Sequence, residues 1–438
     1  MGNNMINTDI AVVGGGAAGL MAAITAARCG ARTAVIEHMD RVGKKILSTG
    51  NGKCNYTNAL QGVSYYRGED PAFVLPVFRQ FGLEETVQFF RELGVIPKVK
   101  NGYYYPASEQ ASAILEVLRM ECDYQNVQIY TSCEIKNVKK CKNGYQIDTN
   151  ADAFFAKKVI FATGLLAAPK SGSDGSAFLH IEKLGHRFID IVPALVQLQG
   201  KQAFFKALAG IRAESEVHLH VEKTEASPRR ASGSLAKARA SEHTERGELQ
   251  LTEYGISGIP VFQLSRFATR GLHEKKRVYA QIDFLPDFTD TELLTLLRDR
   301  FSKNARGKCA NEALIGLFNK KLIDVLLKES GIGVHTPAGR VEKMQLQALC
   351  GKIKALRVDI TGSKGMEAAQ VCAGGVDTGE VCADTLESSI AAGIYFAGEV
   401  LDIDGTCGGY NLQWAWSSGY VAGLHAAKQC LARGDREA

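Results

Sequence analysis

Asp9-Ile10-Ala11-Val12-Val13-Gly14-Gly15-Gly16-Ala17-Ala18-Gly19, then Leu20 to Arg28, then Thr33-Ala34-Val35-Ile36-Glu37, is the stretch that decides the fold. An apolar strand that stops at Val13 and turns at once into a helix needs a residue without Cβ at the turn, which Gly14 supplies. Gly16 lets the backbone approach a pyrophosphate, and Gly19 lets the helix that starts near Ala17 and Ala18 lie close on the sheet. The free amides of that helix's first turn, together with its dipole, face the bound anion. Good helix formers run to Arg28 and Gly30 ends the helix. The second apolar strand ends in Glu37, about twenty residues on, where a carboxylate binds ribose hydroxyls. A lone G-x-G-x-x-G is a weak signal. This one follows a strand, opens a helix and has its acid in place, so it reads as a dinucleotide site rather than an ordinary strand-to-helix turn.

The chain has 438 residues, which points to two domains or to one domain carrying an insertion. With 45% hydrophobic and 23% charged residues it is globular, and its 45 glycines fit many close backbone approaches to a ligand. A formal charge of +5 is small for this length, and no stretch joins a dense basic patch to interleaved aromatics, so nucleic acid is not an expected partner. The 11 cysteines are scattered and never spaced Cys-x-x-Cys, so no disulfide framework and no metal site is expected and a reducing cytoplasm fits best. The apolar run from Ile10 to Ile36 is broken by glycines and Arg28, and no basic segment precedes an apolar core; neither a signal peptide nor a membrane span is expected.

Arg41 to Asn58 carries three glycines and the three lysines Lys44, Lys45 and Lys53, and does not read as a helix. It either wraps the pyrophosphate and reaches the redox ring or is a solvated loop; composition leaves both open. Cys54 within it is a candidate for redox or nucleophilic work, against the commoner role of a small buried apolar residue. Phe73–Phe81 and Leu83–Leu93 read as a helical hairpin, and Val95–Ser108 as a strand pair about Asn101-Gly102. Its tyrosines, Tyr103 to Tyr105, line a pocket or pack under the helices. Ala111–Cys122 is an amphipathic helix, and Val127–Tyr130, Glu134–Lys140 and Tyr145–Thr149 suggest a small antiparallel sheet. Lys158–Gly164 is a buried strand ending at a permissive turn, but Leu165 to Gly175 lacks the glycine spacing of a second nucleotide site. Only one dinucleotide has a dedicated site.

From Pro193 the texture changes to short strands, interrupted by a polar tract, Lys223 to Arg246, that reads as a loop. His218 and His220 share a strand face without a third ligand nearby, so a half-exposed face is favoured over a metal site. Gly247–Leu251 and Arg277–Leu285 read as strands, Ile259–Thr269 as a helix and Thr291–Lys328 as two helices, which together suggest an inserted cap domain. Arg357–Ile360 and Gln370–Cys372 return to strand texture. Gly393 to Asp402 is then a buried strand ending in the acids Glu399 and Asp402, followed by Gly408, Gly409, Asn411 and a helix from Leu412 to about Ala432. An acid there can hold ribityl or ribose hydroxyls. The helix start, capped by Asn411, offers amides and a positive dipole end to a reduced isoalloxazine.

These blocks, with Phe161-Ala162-Thr163-Gly164, Gly43 to Asn58, and Tyr395 to Asp402 through Gly409 to Ser417, resemble the bacterial FAD flavoproteins that include aminoacetone oxidase and the proposed 3-dehydro-bile-acid reductase. The similarity runs over nearly the whole chain, including Glu248 to Leu264. It implies an α/β fold: a Rossmann-like FAD-binding domain of three-layer β/β/α, glutathione-reductase-like type, with an inserted α+β cap domain containing a small barrel-like sheet. The implied division is 1–194 and 341–438 for the FAD domain and 195–340 for the cap. The implied FAD contacts are Gly14, Gly16, Ala17, Ala18, Gly19, Glu37, Lys44, Lys45, Gly50, Gly52, Cys54, Asn55, Ile135 near the adenine, Thr163, Gly164, Gly398, Glu399, Asp402, Gly409, Asn411, Leu412 and Gln413. Two departures stand out. Leu165 replaces a second glycine usual in the family, and the 223–246 tract is longer than usual.

The implied activity is FAD-dependent oxidoreduction. In one form NADH or NADPH reduces the flavin transiently and a small organic substrate takes the hydride; in another an amine reduces it and oxygen reoxidises it. A flavin-binding redox sensor is the third reading. No catalytic acid or base is assigned, and Cys54, Tyr254 and Tyr410 are substrate-pocket candidates. A small-molecule partner is expected, with neither nucleic acid nor membrane.

Overall fold

The computed structural model describes residues 5–222, 241–302 and 305–434. It divides into two compact units, Met1–Ile191 with Gln370–Ala438, and Val192–Ala369. In the first unit the chain lays down β1 (Met5–Val13), α1 (Ala17–Arg28), β2 (Thr33–Ile36), α2 (Val74–Gln80), α3 (Leu83–Glu92), β3 (Pro97–Lys100), β4 (Tyr103–Pro106), α4 (Ala111–Tyr124), β5 (Gln128–Tyr130), β6 (Ile135–Cys141), β7 (Gly144–Thr149) and β8 (Ala153–Phe161). The main sheet runs β5-β2-β1-β8-β7-β6. Its first half is parallel, and β1 pairs along the whole of β8, from Met5 opposite Ala153 to Val13 opposite Phe161. Parallel strands are covered on both faces, which is why the β1 segment from Ile10 to Val13 is apolar without alternation.

The Val127–Thr149 region differs from the separate antiparallel sheet expected above. β5 pairs in parallel with β2, while β6 and β7 form a hairpin that adds antiparallel to β8. A three-residue strand cannot declare its partner by periodicity; tertiary pairing decides it.

The second unit holds β9 (Leu198–Gly200), β10 (Arg212–Val221), β11 (Ser241–Thr252), β12 (Gly255–Gly258), α5 (Ile259–His273), β13 (Val278–Asp283), α6 (Asp290–Arg300), α7 (Lys320–Glu329), α8 (Lys343–Lys354) and β14 (Leu356–Ser363). The six strands close into a barrel in the order β9-β12-β11-β10-β13-β14. β14 closes it by pairing with both β13 and β9, and Leu346, Leu349, Ile353, Val358 and Ile360 belong to this unit's own core. The unit therefore extends to Ala369 rather than 340. Residues 223–240 of the expected loop lie outside the described residues, but Ser241 to Arg246 is strand, paired with Glu216 to Val221. A further short helix, Ala310–Ala313, lies between α6 and α7, where two helices were expected.

The chain then returns to the first unit with β15 (Val371–Val376), β16 (Ile394–Phe396) and α9 (Tyr410–Gly434). β16 is shorter than the Gly393–Asp402 strand read from sequence and docks in parallel on Val159–Phe161 of β8. α9 packs on α1 with its backbone almost in contact. A Cβ at Gly419 would lie 2.4 Å from the Ala18 carbonyl oxygen, and one at Gly423 2.4 Å from that of Ala22. Among the described residues no helix is long and apolar enough to cross a membrane.

Both tryptophans, Trp414 and Trp416, lie in α9, so their fluorescence reports on this unit. Gly423→Val is expected to lower its stability by about 1–3 kcal/mol through overpacking. Lys428→Ala, at an exposed position of the same helix, should shift it by no more than about 0.5 kcal/mol. Denaturant unfolding followed by tryptophan emission checks both.

Candidate functional site

The three glycines of the first turn meet different demands. Gly14 has φ +97°, and a Cβ there would lie 2.6 Å from the Ala162 carbonyl oxygen. At Gly19 it would lie 1.9 Å from the Gly14 oxygen. Those two are required by the protein's own packing. At Gly16 a Cβ would meet nothing within 4 Å. Gly16 caps α1 with φ −80°, and the amides of α1's first turn have no carbonyl one turn back to bond. That combination is an amide-lined cradle which a side chain would fill and an anion fits. Gly15, which the motif leaves as a free position, is also crowded: a Cβ there would lie 2.4 Å from Val42 Cγ1.

Glu37 is buried at the end of β2. Its Oε2 accepts the Gly15 N–H at 2.7 Å and its Oε1 the Met39 N–H at 2.8 Å. A carboxylate has about four acceptor positions; His38 Nδ1 also lies 3.3 Å from Oε1, so Oε2 is the oxygen that keeps capacity for a hydroxyl. The Glu37 carbonyl in turn accepts from Cys133 N, two residues before half-buried Ile135 at the start of β6.

The Gly43–Asn58 segment is built into the site. Gly43 N donates to the Gly15 carbonyl at 2.8 Å, Lys45 Nζ pairs with Glu399 Oε2 at 2.7 Å, and Lys44 pairs outward with Asp40 at 2.9 Å. Gly50, Asn51 and Gly52 take positive φ within a short 3₁₀ segment, Ile46–Gly52. Cys54 has φ +55° and is fully buried; burial pushes its thiol up to about 12 against the hydrogen bond to Thr49. Burial disfavours its thiolate, and its full burial is that of a small packing residue. The Asn55 Oδ1 is buried without a partner. The orphaned Asn55 acceptor lies 3.0 Å from where a Cβ on Gly409 would stand, and Gly16 offers a separate open amide cradle; a bound ligand would satisfy the one and fill the other, so these residues fit a dinucleotide.

The C-terminal block closes the same region. Gly398 has φ +77°, and a Cβ there would lie 2.8 Å from Ala18 Cβ. Its N–H donates to Ser418 Oγ at 2.8 Å and its carbonyl accepts from Trp414 Nε1 at 3.0 Å. Gly409, φ +95°, lies against Thr57, where a Cβ would be 2.8 Å from the backbone. Asn411 does not cap α9. It sits inside the first turn, where its side chain exchanges two 2.8 Å hydrogen bonds with the Gly405 backbone. Gln413 is fully buried: its oxygen accepts from Thr57 Oγ1, and its nitrogen donates to Thr86 Oγ1 and Ser417 Oγ, both at 2.8 Å. Its side chain is a brace. Leu412 is half-buried beside it, with a first-turn amide. Asp402 is buried and accepts the Glu69 N–H at 2.7 Å. Trp416 Nε1 holds the Tyr56 carbonyl at 3.0 Å.

On the β8 side, Thr163 and Gly164 are partly exposed, Gly164 with φ +66°. Leu165, at the departure from the family pattern, is fully buried in place of the second glycine. Tyr410 opens α9 and stacks on Tyr65 at 4.5 Å; burial, then the neighbouring Tyr65, pushes its phenol well up. Tyr254 belongs to the second unit, in the turn between β11 and β12, with Lys364 Nζ 4.3 Å from its ring centre. Sequence reasoning missed Gly15, Gly419 and Gly423. The last two were signalled by a glycine pair spaced like Ala18 and Ala22 on the partner helix.

Residues 8–425 match the family described as HI0933-like protein Rossmann domain. The 3-dehydro-bile acid delta(4,6)-reductase of Clostridium scindens is 43% identical over 96% of this chain and 99% of its own. The ribosomal RNA dihydrouridine synthase of Haemophilus influenzae is 28% identical over 95% of this chain and 98% of its own. Among solved structures, a 3-ketosteroid-delta4-(5alpha)-dehydrogenase from Rhodococcus jostii RHA1 is 15% identical, with a TM-score of 0.49 and 97% of each chain covered.

Gly16→Ala should leave the unfolding midpoint unchanged within about 0.5 kcal/mol and lower dinucleotide affinity about tenfold or more, read as flavin absorbance retained on dialysis. Gly19→Ala should instead destabilise the fold, since the Gly14 oxygen must move. The buried thiols Cys54, Cys122 and Cys372, each pushed up to about 12, set a pH dependence. In the unfolded chain they ionise from about pH 9, so the unfolded state loses protons first and stability falls as pH rises from about 9 toward 12. The unfolding midpoint should therefore drop between pH 8 and pH 10.5, and drop less in Cys54→Ala; parallel losses would assign the effect elsewhere.

Proposed function

The chain belongs to the HI0933-like family, and from that premise we propose that it is an FAD-dependent oxidoreductase that passes electrons from NADH or NADPH to a C=C bond conjugated with a carbonyl in a small organic substrate. The observation that carries this is the open, amide-lined cradle at Gly16 with Glu37 at the end of the next strand. The names of both curated relatives support the reaction class. Saturating a 3-dehydro bile acid at its delta(4,6) positions and making dihydrouridine both add two hydrogens to a C=C bond conjugated with a carbonyl. The small-molecule form follows the relative at 43% identity.

The amides at the start of α1 and Glu37 would hold the pyrophosphate and ribose ends of FAD, and Gly398, Gly409 and the first-turn amides of α9 its ring end. When bound, FAD supplies hydride transfer. The chain's own residues position it, and Lys45, held by Glu399, places a positive charge beside the same loop. A redox-sensing role through Cys54 lacks its chemical basis, because the thiol is buried and protonated.

Anaerobic absorbance of the flavin-loaded protein mixed in turn with NADH, NADPH and aminoacetone tests the reading. Rapid bleaching by a nicotinamide, reversed by a conjugated enone, is the expected result. Bleaching by the amine alone, with peroxide formed on admitting air, would replace it with the oxidase, and protein that retains no flavin would end it.

A further inference from the structure

The hairpin β3–β4 has two unlike faces. Thr57–Asn58, β4 and β3 form a three-stranded sheet in which Val99 lies opposite Tyr104, Lys98 opposite Tyr105 and Lys100 opposite Tyr103. Side chains alternate across a strand and directly opposed residues share a face. Tyr104 and Thr57 therefore point inward, where Tyr104 meets Tyr56 edge-on at 6.1 Å and Thr57 bonds Gln413. The other face carries Lys98, Lys100, Tyr103 and Tyr105, with Asn58 buried at its inner end.

This second face is continuous with the candidate site. Asn58 Nδ2 donates to the Gly408 carbonyl at 2.9 Å, and a Cβ at Gly408 would lie 2.9 Å from Tyr103 Cε1. Gly408 has φ +131° and precedes Gly409, the residue before α9. The ring of Tyr103 thus lies on the turn that feeds the helix start. Tyr103 and Tyr105 are half-buried and Lys98 and Lys100 exposed. Lys53 joins them, because Lys53 and Lys98 share the single carboxylate Glu109, at 3.8 and 3.4 Å. Three ammonium groups against one carboxylate leave an excess of positive charge on a face whose floor is two phenol rings.

The geometry points to this face as a subsite for the substrate's anionic group: a small ring compound carrying a carboxylate, its rings against Tyr103 and Tyr105 and its carboxylate at Lys98 and Lys100. This rests on the proposed reductase reading for the identity of the site. A carboxylate accepts from an ammonium group in a charge-assisted hydrogen bond, and a flat apolar body lies well against phenol faces. A single-stranded RNA would need a longer basic track than one four-residue strand with a shared acid provides.

The probes are 3-oxo-4-cholenoate, its methyl ester and a uridine-containing 12-mer of RNA, titrated against the oxidised, flavin-loaded protein without nicotinamide. The variants are the double Lys98→Met, Lys100→Met change and Tyr103→Leu. The double change is expected to weaken the acid about tenfold and the ester less than twofold, with a salt slope near one for the acid. Tyr103→Leu should weaken acid and ester together. Unchanged flavin content in each variant shows that the fold is intact. Equal losses for acid and ester in the double variant, no loss at all, or no binding of either compound would overturn the subsite. So would lysine-dependent binding of the RNA alone with a slope of several. Lysine-dependent acid binding in a protein that no nicotinamide reduces would keep the subsite and remove the reductase reading; reduction by nicotinamide without charge dependence would do the reverse.

Discussion

The near-contact of two helix backbones is the constraint on which the first unit depends. Gly419 and Gly423 of α9 lie on the carbonyls of Ala18 and Ala22 of α1, so no residue with a Cβ fits at either glycine without displacement. Chain segments from opposite ends of the sequence are brought to one place by this seam. Lys45 and Glu399, 354 positions apart, meet as an ion pair beside it. From the same helix, Trp414 and Ser418 fasten the Gly398 turn, Trp416 fastens Tyr56, and Gln413 fastens Thr57. Gly398 has its own close approach, to Ala18. A cofactor cradle made of loops needs such a scaffold, because loops alone do not hold amides to within the tolerance of a hydrogen bond.

The polar groups around this seam fall into two kinds. Gln413 uses both ends of its amide on Thr57, Thr86 and Ser417, inside a buried network whose members satisfy one another. Such a network rigidifies, and losing one member leaves the others unpaired. The Asn55 Oδ1 is buried with nothing to accept from. Buried and satisfied reads as structure; buried and unsatisfied, at the glycine turn that leads into α9, reads as a place for a ligand.

Much of this was legible in the sequence because glycine spacing carries backbone geometry directly. Gly14, Gly16 and Gly19 were assigned three different demands, and their surroundings differ accordingly. The αβ order and the hairpin at Asn101-Gly102 were equally readable, since periodicity and turn residues specify them locally; the small barrel in the middle of the chain was expected only from the family resemblance, because the local pattern showed short strands without their closure. What escaped was set by partners distant in sequence. The parallel pairing of Gln128–Tyr130 with β2, the inclusion of Lys343–Ser363 in the second unit, and the bracing role of Gln413 all depend on residues the local pattern does not contain. Asn411 was misread for a related reason. Its residue type suits a cap, but Gly405 offers both a donor and an acceptor to its side chain, and the helix starts one residue earlier.

Four buried hydroxyl and thiol groups around the site have their pKa values raised. Burial pushes up the thiol of Cys54 and the phenols of Tyr56, Tyr66 and Tyr410. Each is thereby kept protonated across the neutral range, so each can donate a hydrogen bond or a proton and none is poised as a base. Oxidising an amine favours a group that takes a proton from the substrate's ammonium form. Adding hydrogen across a conjugated C=C requires instead that a proton be delivered to the carbon next to the carbonyl. Burial that raises a phenol's pKa also makes it a weaker acid, so the shift by itself chooses neither task; what the fold supplies is a protonated hydroxyl at the start of α9, on Tyr410, whose ring stacks on Tyr65.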